Sequence, residues 1–197
     1  LQLDHSGTIQ IYHKSKLVPG VEKMPWPAVF KYIEKFAIDL GGISGSLGMQ
    51  EERVAFFTQD KKFAAGPIVC YESVYGEYVG EYVKKGANFL AIITNDGWWG
   101  DTPGYRQHLQ YGALRAIETR RSIVRSANTG ITATINQKGE VENKTLWWKE
   151  AAIKTTVNVN TNITFYTRFG DYLGLIAIFT SIAILLSLMI KSDKFSS

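Results

Sequence analysis

The 197-residue sequence predicts a mixed α/β or α+β domain followed by one membrane-spanning helix. Three observations carry that expectation. Short apolar runs of strand type recur between segments bearing helical start and stop signals. One of these runs, Phe89 to Thr94, is uninterrupted, the mark of a strand buried on both faces. From Tyr172 to Ile190 the chain is apolar or small without one charge, and it stops at Lys191.

Along the chain, Thr8 to Tyr12 alternate in strand fashion, and Leu17-Val18-Pro19-Gly20 reads as a strand ending in a turn. Pro25-Trp26-Pro27 breaks regular structure, with Trp26 as a wedge. Gly41 to Gly48 carries four glycines with Ser44 and Ser46; it has no following Gly-Lys-Ser/Thr, so it reads as a surface loop rather than a phosphate cradle. Val54 to Phe57 and Pro67 to Cys70 are strand candidates around a polar turn at Gln59-Asp60-Lys61-Lys62. A helix then runs to Lys84-Lys85 and stops at Gly86, since cations in a last turn and glycine beyond it are stop signals. Thr102-Pro103 opens the next helix by capping and by proline at its first position. Its apolar stripe is Leu109, Ala113, Ala116 and Ile117, with Arg106, Gln110, Arg115 and Arg121 mostly elsewhere. Strands follow at Ser122 to Ala127 and Ile131 to Ile135, then a turn at Asn136-Gln137-Lys138-Gly139, and a last strand at Thr155 to Val159. No internal repeat is visible.

Composition narrows the function classes. With 22 basic and 18 acidic residues the net charge is +4, spread without a basic block, which argues against a nucleic-acid partner. The single cysteine cannot form an internal disulfide and leaves the compartment open. The first residue is Leu1 and no signal peptide is visible, so the expectation is a processed chain or the tail of a longer protein. About 20 apolar residues at ~1.5 Å rise span a ~30 Å hydrocarbon core, and Tyr172 and Lys191 bracket the segment as interfacial anchors would. The alternative is a fully buried core helix. Arg168 and Asp171 cancel on one side, whereas Lys191, Asp193 and Lys194 leave a small positive excess on the other; the tail is therefore expected in the cytoplasm.

Cys70 is the first chemical candidate. It ends a short apolar strand, where a sharp turn into a helix can present a nucleophile at the rim of a sheet. The backbone N–H groups that follow, Tyr71 first, can point at an oxyanion. A nearby lysine would favour the thiolate, but composition does not choose among the lysines. The ordinary alternative is a buried small hydrophobe. His5, His13 and His108 form no recognisable spacing with Cys70, and His108 has a structural role as its alternative. No cluster offers metal-ligand spacing, and no Gly-x-Ser-x-Gly elbow occurs.

Several motifs, in order, carry a resemblance. They are Tyr12-His13-Lys14-Ser15-Lys16-Leu17-Val18-Pro19, Cys70-Tyr71-Glu72 and Thr94-Asn95-Asp96-Gly97-Trp98-Trp99-Gly100. Gln107-His108-Leu109-Gln110, Arg115-Ala116-Ile117-Glu118 and Arg125-Ser126-Ala127-Asn128-Thr129-Gly130-Ile131 continue it. Together they resemble the nitrilase (carbon–nitrogen hydrolase) superfamily and, within it, look most like the apolipoprotein N-acyltransferase family. The terminal membrane helix after Arg168-Phe169-Gly170-Asp171 is what soluble nitrilase relatives would not need.

The resemblance implies an α-β-β-α sandwich over residues 1–171, incomplete at its N-terminal side, a transmembrane helix at 172–190 and a polar tail at 191–197. It implies a Glu-Lys-Cys triad in which Lys14 is the lysine and Cys70 the nucleophile, with Glu22 and Glu72 as further carboxylates near the site. The family's Pro-Phe-Gly-Glu stands here as Pro19-Gly20-Val21-Glu22. The triad's glutamate precedes the lysine in the family, and Leu1 to His13 contains none, so the chain is expected to be the C-terminal portion of the enzyme and inactive alone. The implied activity moves an acyl chain from a membrane phospholipid, through a cysteine thioester, to the α-amino group of a diacylated apolipoprotein. No cofactor and no metal are implied. The implied location is the bacterial cell membrane, with the catalytic domain on the extracytoplasmic face. Trp98 and Trp99 could contact acyl chains or pack in the core. Rival readings are an amidase-type hydrolase with water as acceptor, and a non-catalytic tethered domain of the same fold.

Overall fold

The computed structural model describes residues 1–3, 7–19, 22 and 49–195, with side chains described to residue 190. The expectations for His5, Gly20, Trp26 and the 41–48 loop, and for the side chains from Lys191 onward, lie outside the described residues.

Alternating residues at the start of the chain form a short antiparallel hairpin, β1 (Gln2–Leu3) with β2 (Ile9–Gln10). The Gln10 side-chain amide accepts from Phe57 N at 3.1 Å and donates to Phe57 O at 2.9 Å. This hairpin thereby satisfies the edge of a six-stranded sheet. That sheet runs in the order β3 (Phe56–Phe57), β4 (Ala64–Val69), β5 (Phe89–Asn95), β6 (Ile123–Asn128), β7 (Ala133–Ile135), β8 (Val141–Glu142). Its centre is parallel, with Ile68 opposite Ile92 and Ile92 opposite Arg125; the outer pairs are antiparallel. Parallel neighbours need crossovers, and two helices supply them: α1 (Gly76–Lys84) between β4 and β5, and α2 (Gly104–Thr119) between β5 and β6.

Both helices bury one face on the same side of the sheet. Tyr78, Val79, Tyr82 and Val83 of α1 and Leu109, Ala113 and Ala116 of α2 meet Ile68, Leu90, Ile92, Ile123 and Ile135 in one core. The stop signal at Lys84-Lys85-Gly86 acts as expected: α1 ends at Lys84, and Gly86 takes φ 101°, a conformation costly for other residues.

Four expectations are corrected. Burial along β5 alternates, with Leu90, Ile92 and Thr94 inside and Ile93 57 % exposed, so among the described residues this strand is covered on one face. Its other face, with Ala91, Val124, Ser126 and Thr134, lines an open groove bordered by residues 151–153. On α2, Ile117 is exposed whereas Arg115 is buried. Arg115 goes inside because its guanidinium finds acceptors there, Val74 O at 2.9 Å and Glu118 Oε1 at 2.8 Å. Arg121 is buried for the same reason, donating to Ala87 O at 2.9 Å and Asn162 O at 2.9 Å, and burial pushes its pKa down. The segment Thr155 to Val159 joins no ladder, because β8 already occupies the place beside β7.

Near the end, α3 (Phe165–Phe169) leads through Gly170 into α4 (Tyr172–Phe195). The Tyr172–Ile190 segment has a mean hydropathy of 2.6, and none of it is buried among the described residues, unlike a core helix. Its length and composition suffice to cross a membrane.

Candidate active site

Cys70 follows the last residue of β4 directly and opens the 3-10 turn Cys70–Val74. Its φ is 52°, left-handed, which for a side-chain-bearing residue costs roughly 1–2 kcal/mol and needs support. The half-buried thiol therefore sits on a sharp strand-to-turn elbow at the end of a parallel strand, as the sequence predicts. Ser73 Oγ donates to Cys70 O at 2.9 Å, and Arg115 Nη1 holds Val74 O.

Glu72 is the main support. Its side chain has no solvent exposure, and both oxygens are filled by protein donors. Oε1 accepts from Tyr12 Oη at 2.6 Å, Ser15 N at 2.6 Å and Tyr78 Oη at 2.8 Å; Oε2 accepts from Val69 N at 2.8 Å and Tyr82 Oη at 3.4 Å. Burial first, and then the nearby carboxylate, push the Tyr12 and Tyr82 hydroxyls above their ordinary range, so they stay neutral donors. One carboxylate thus binds the residue after Lys14 and the residue before Cys70. A distant loop is tied to the turn that carries Cys70.

Within that loop Lys14 Nζ meets both oxygens of Glu22, at 2.8 and 2.6 Å, and Glu22 Oε2 also accepts from Val18 N at 2.8 Å. The pair is mostly shielded from solvent. Tyr71 stands edge-on to Tyr75 with ring centres 5.3 Å apart, and their hydrogen bond, ahead of burial, raises the Tyr75 hydroxyl to about 12. Lys14, Glu22, Cys70, Tyr71 and Glu72 therefore lie on two segments joined through one carboxylate.

A second buried network underlies the elbow; of its members, sequence reasoning weighed only His108, for a structural role. Asp96 lies just beyond β5 with no exposure; Arg125 Nη2 donates to its Oδ2 at 2.7 Å, and His108 Nδ1 lies 3.0 Å from its Oδ1. Burial pushes Asp96 up, but the His108 hydrogen bond and the Arg125 charge outweigh it and hold the carboxyl below its usual range. His108 Nε2 lies 3.1 Å from Ser73 Oγ and 3.2 Å from Cys70 O. The signal available in sequence was an aspartate just past one apolar strand and an arginine inside another, both within the quoted motifs. Trp98 is 56 % exposed and Trp99 also faces solvent in part, in the loop after β5, so core packing does not account for them. Among the described residues, no group of three or more His, Cys, Asp and Glu side chains gathers to hold a metal ion.

The carbon-nitrogen hydrolase family model matches residues 1–164. An apolipoprotein N-acyltransferase of Chlorobaculum tepidum is 37 % identical over 84 % of this chain and 31 % of its own length. The corresponding protein of Geobacter metallireducens is 32 % identical over 80 % of this chain and 29 % of its own length. The chain spans about a third of the length of these curated relatives. A carbon-nitrogen hydrolase structure from Helicobacter pylori superposes with a TM-score of 0.47 at 15 % identity, covering 54 % of this chain and 43 % of that one. With a family model matching residues 1–164, the chain belongs to the carbon-nitrogen hydrolase family.

Proposed function

We propose that the protein containing this chain moves a fatty acyl group from a membrane phospholipid to the α-amino group of the N-terminal diacylglyceryl-cysteine of an apolipoprotein. The observation that carries the reading is the Glu72 carboxylate, which holds Ser15 N and Val69 N together and so keeps the Lys14 loop beside the Cys70 elbow. In this reading Cys70 Sγ attacks the ester carbonyl of the phospholipid, and its proton passes to a general base. The lysophospholipid alcohol leaves with that proton, and a thioester remains. The lipoprotein amine then attacks the thioester, forming the amide and returning the proton to sulfur. Lys14 stabilises the thiolate and the oxyanion, Glu22 holds Lys14, Tyr71 N–H contributes to the oxyanion site, and Glu72 organises the turn. The general base is a glutamate supplied by the whole protein from outside residues 1–197.

Similarity to apolipoprotein N-acyltransferases supports the acyl transfer, and the exposed apolar α4 supports a donor held in the bilayer. A domain tethered at the lipid surface loses less positional freedom on meeting such substrates than one searching solution. The reading places the protein in the bacterial cell membrane, with the catalytic domain extracytoplasmic and the tail after α4 cytoplasmic. The test is mass spectrometry of the full-length protein incubated with phospholipid, then with a diacylated lipopeptide. An acyl adduct on the Cys70 peptide, discharged to the lipopeptide amine and absent from Cys70→Ser, is the expected result. Free fatty acid as the sole product would make water the acceptor and the enzyme a hydrolase; normal transfer by Cys70→Ser would remove the thioester.

A further inference from the structure

The short helix α3 lies outside the apolar segment, yet it presents two large aromatic side chains to solvent. Phe165 is 61 % and Phe169 56 % exposed. At positions i and i+4 they share one helix face, their ring centres 4.5 Å apart. Phe165 also meets Tyr172, the first residue of α4, edge-on at 4.9 Å. The aromatic face is thus continuous with the start of the apolar helix.

This junction is built rather than loose. Gly170 takes φ 68° and lies against the Glu77 carboxylate, so a side chain there would be strained and would push that carboxylate from its place. Glu77 Oε1 accepts from Asp171 N at 2.9 Å, and Asp171 Oδ1 in turn accepts from Gly174 N at 2.9 Å in the first turn of α4. At its other end α3 is capped by Thr164, whose hydroxyl donates to Glu118 O at 2.5 Å. Glu118 pairs with Arg115, and Arg115 holds Val74 O in the turn that carries Cys70. Hydrogen bonds, with residue 118 as the covalent link between two of them, therefore connect the start of α3 to the turn that carries Cys70.

We propose that Phe165, Phe169 and Tyr172 form an interfacial platform that seats in the boundary between lipid headgroups and acyl chains, and that α3 thereby sets the height of the Cys70 elbow above the bilayer. Aromatic rings are favoured at that depth because they bury apolar area without demanding full dehydration of the neighbouring backbone. The occupant of the face is lipid, since the face adjoins the one described helix long and apolar enough to span a membrane. The inference rests on the membrane reading of α4 given above.

The test uses the full chain with Cys70→Ser, which removes its one cysteine. Single cysteines are placed by Phe165→Cys, Phe169→Cys, Ile182→Cys and Lys138→Cys, each carrying a nitroxide, in nanodiscs of phosphatidylethanolamine and phosphatidylglycerol. Collision with oxygen and with a water-soluble nickel chelate then reports depth. Labels at 165 and 169 should collide with the chelate several-fold less than the label at 138, and with oxygen less than the label at 182. A label at 182 deep in hydrocarbon with 165 and 169 matching 138 would overturn the platform while leaving α4 in the membrane. An aqueous label at 182 would overturn the membrane reading itself, and the platform with it. A second measurement needs no substitution: a photoactivatable group near the top of a phospholipid acyl chain should label the peptide around 165–172. Labelling confined to α4 beyond that region would also overturn the platform.

Discussion

Replacing Glu72 by glutamine removes one charge and one acceptor from the centre of the candidate site without changing its size. The amide oxygen can keep the three donors now at Oε1, from Tyr12, Ser15 and Tyr78. The amide nitrogen must then face Val69 N, which now donates to Oε2 at 2.8 Å, so a donor meets a donor at a buried position. Losing a hydrogen bond to a buried charged group costs roughly 1.5–3 kcal/mol, and stranding its partner adds about 1 kcal/mol. A total near 3 kcal/mol lowers Tm by roughly 6–12 °C for a domain of this size. The damage falls beside Cys70, whose left-handed φ depends on that support. The assay is thermal unfolding in detergent, followed by near-ultraviolet circular dichroism, with iodoacetamide alkylation of the single thiol alongside. Both the melting temperature and the alkylation rate should fall in Glu72→Gln. A Tm within about 2 °C of the parent and an unchanged alkylation rate would refute the reasoning.

Two further outcomes concern the network beneath the elbow. A glutamine at His108 can place an amide near the position of Nε2, keeping contact with Ser73 and Cys70, whereas asparagine can reach only Asp96. His108→Gln should therefore retain faster Cys70 alkylation than His108→Asn, even at equal stability, and the reverse order would show that the Asp96 end matters more. Because Asp96 is held below its usual range, its ionised form stabilises the fold above a pH of about 4, and that contribution is lost as pH falls through the lower folded value. Asp96→Asn should be less stable than the parent to urea at neutral pH, with the difference shrinking in acid; a gap independent of pH would count against the assignment.

Local signals carried much of the fold. A cysteine at the end of a short apolar strand, cations before Gly86, and Thr102-Pro103 before α2 each act within a few residues, so their meaning survives without the rest of the molecule. The apolar segment from Tyr172 was legible for the same reason, since its length and lack of charge are properties of the segment itself. The tertiary structure decided what depends on distant partners. Whether β5 is covered on one face or two depends on which layers pack against it, and an apolar run alone cannot distinguish these cases. Arg115 sits on the inner face of α2 because carbonyls of the Cys70 turn, some forty residues away in sequence, wait there as acceptors. Glu72 read as one more carboxylate beside a thiol; only folding brings Tyr12 and Ser15 within hydrogen-bonding distance and turns it into the tie between two segments. His108 had no legible spacing to Cys70, because their contact crosses a turn, a helix and a strand. Hydrogen-bond satisfaction of buried charge is a long-range condition, and sequence periodicity records only short-range ones.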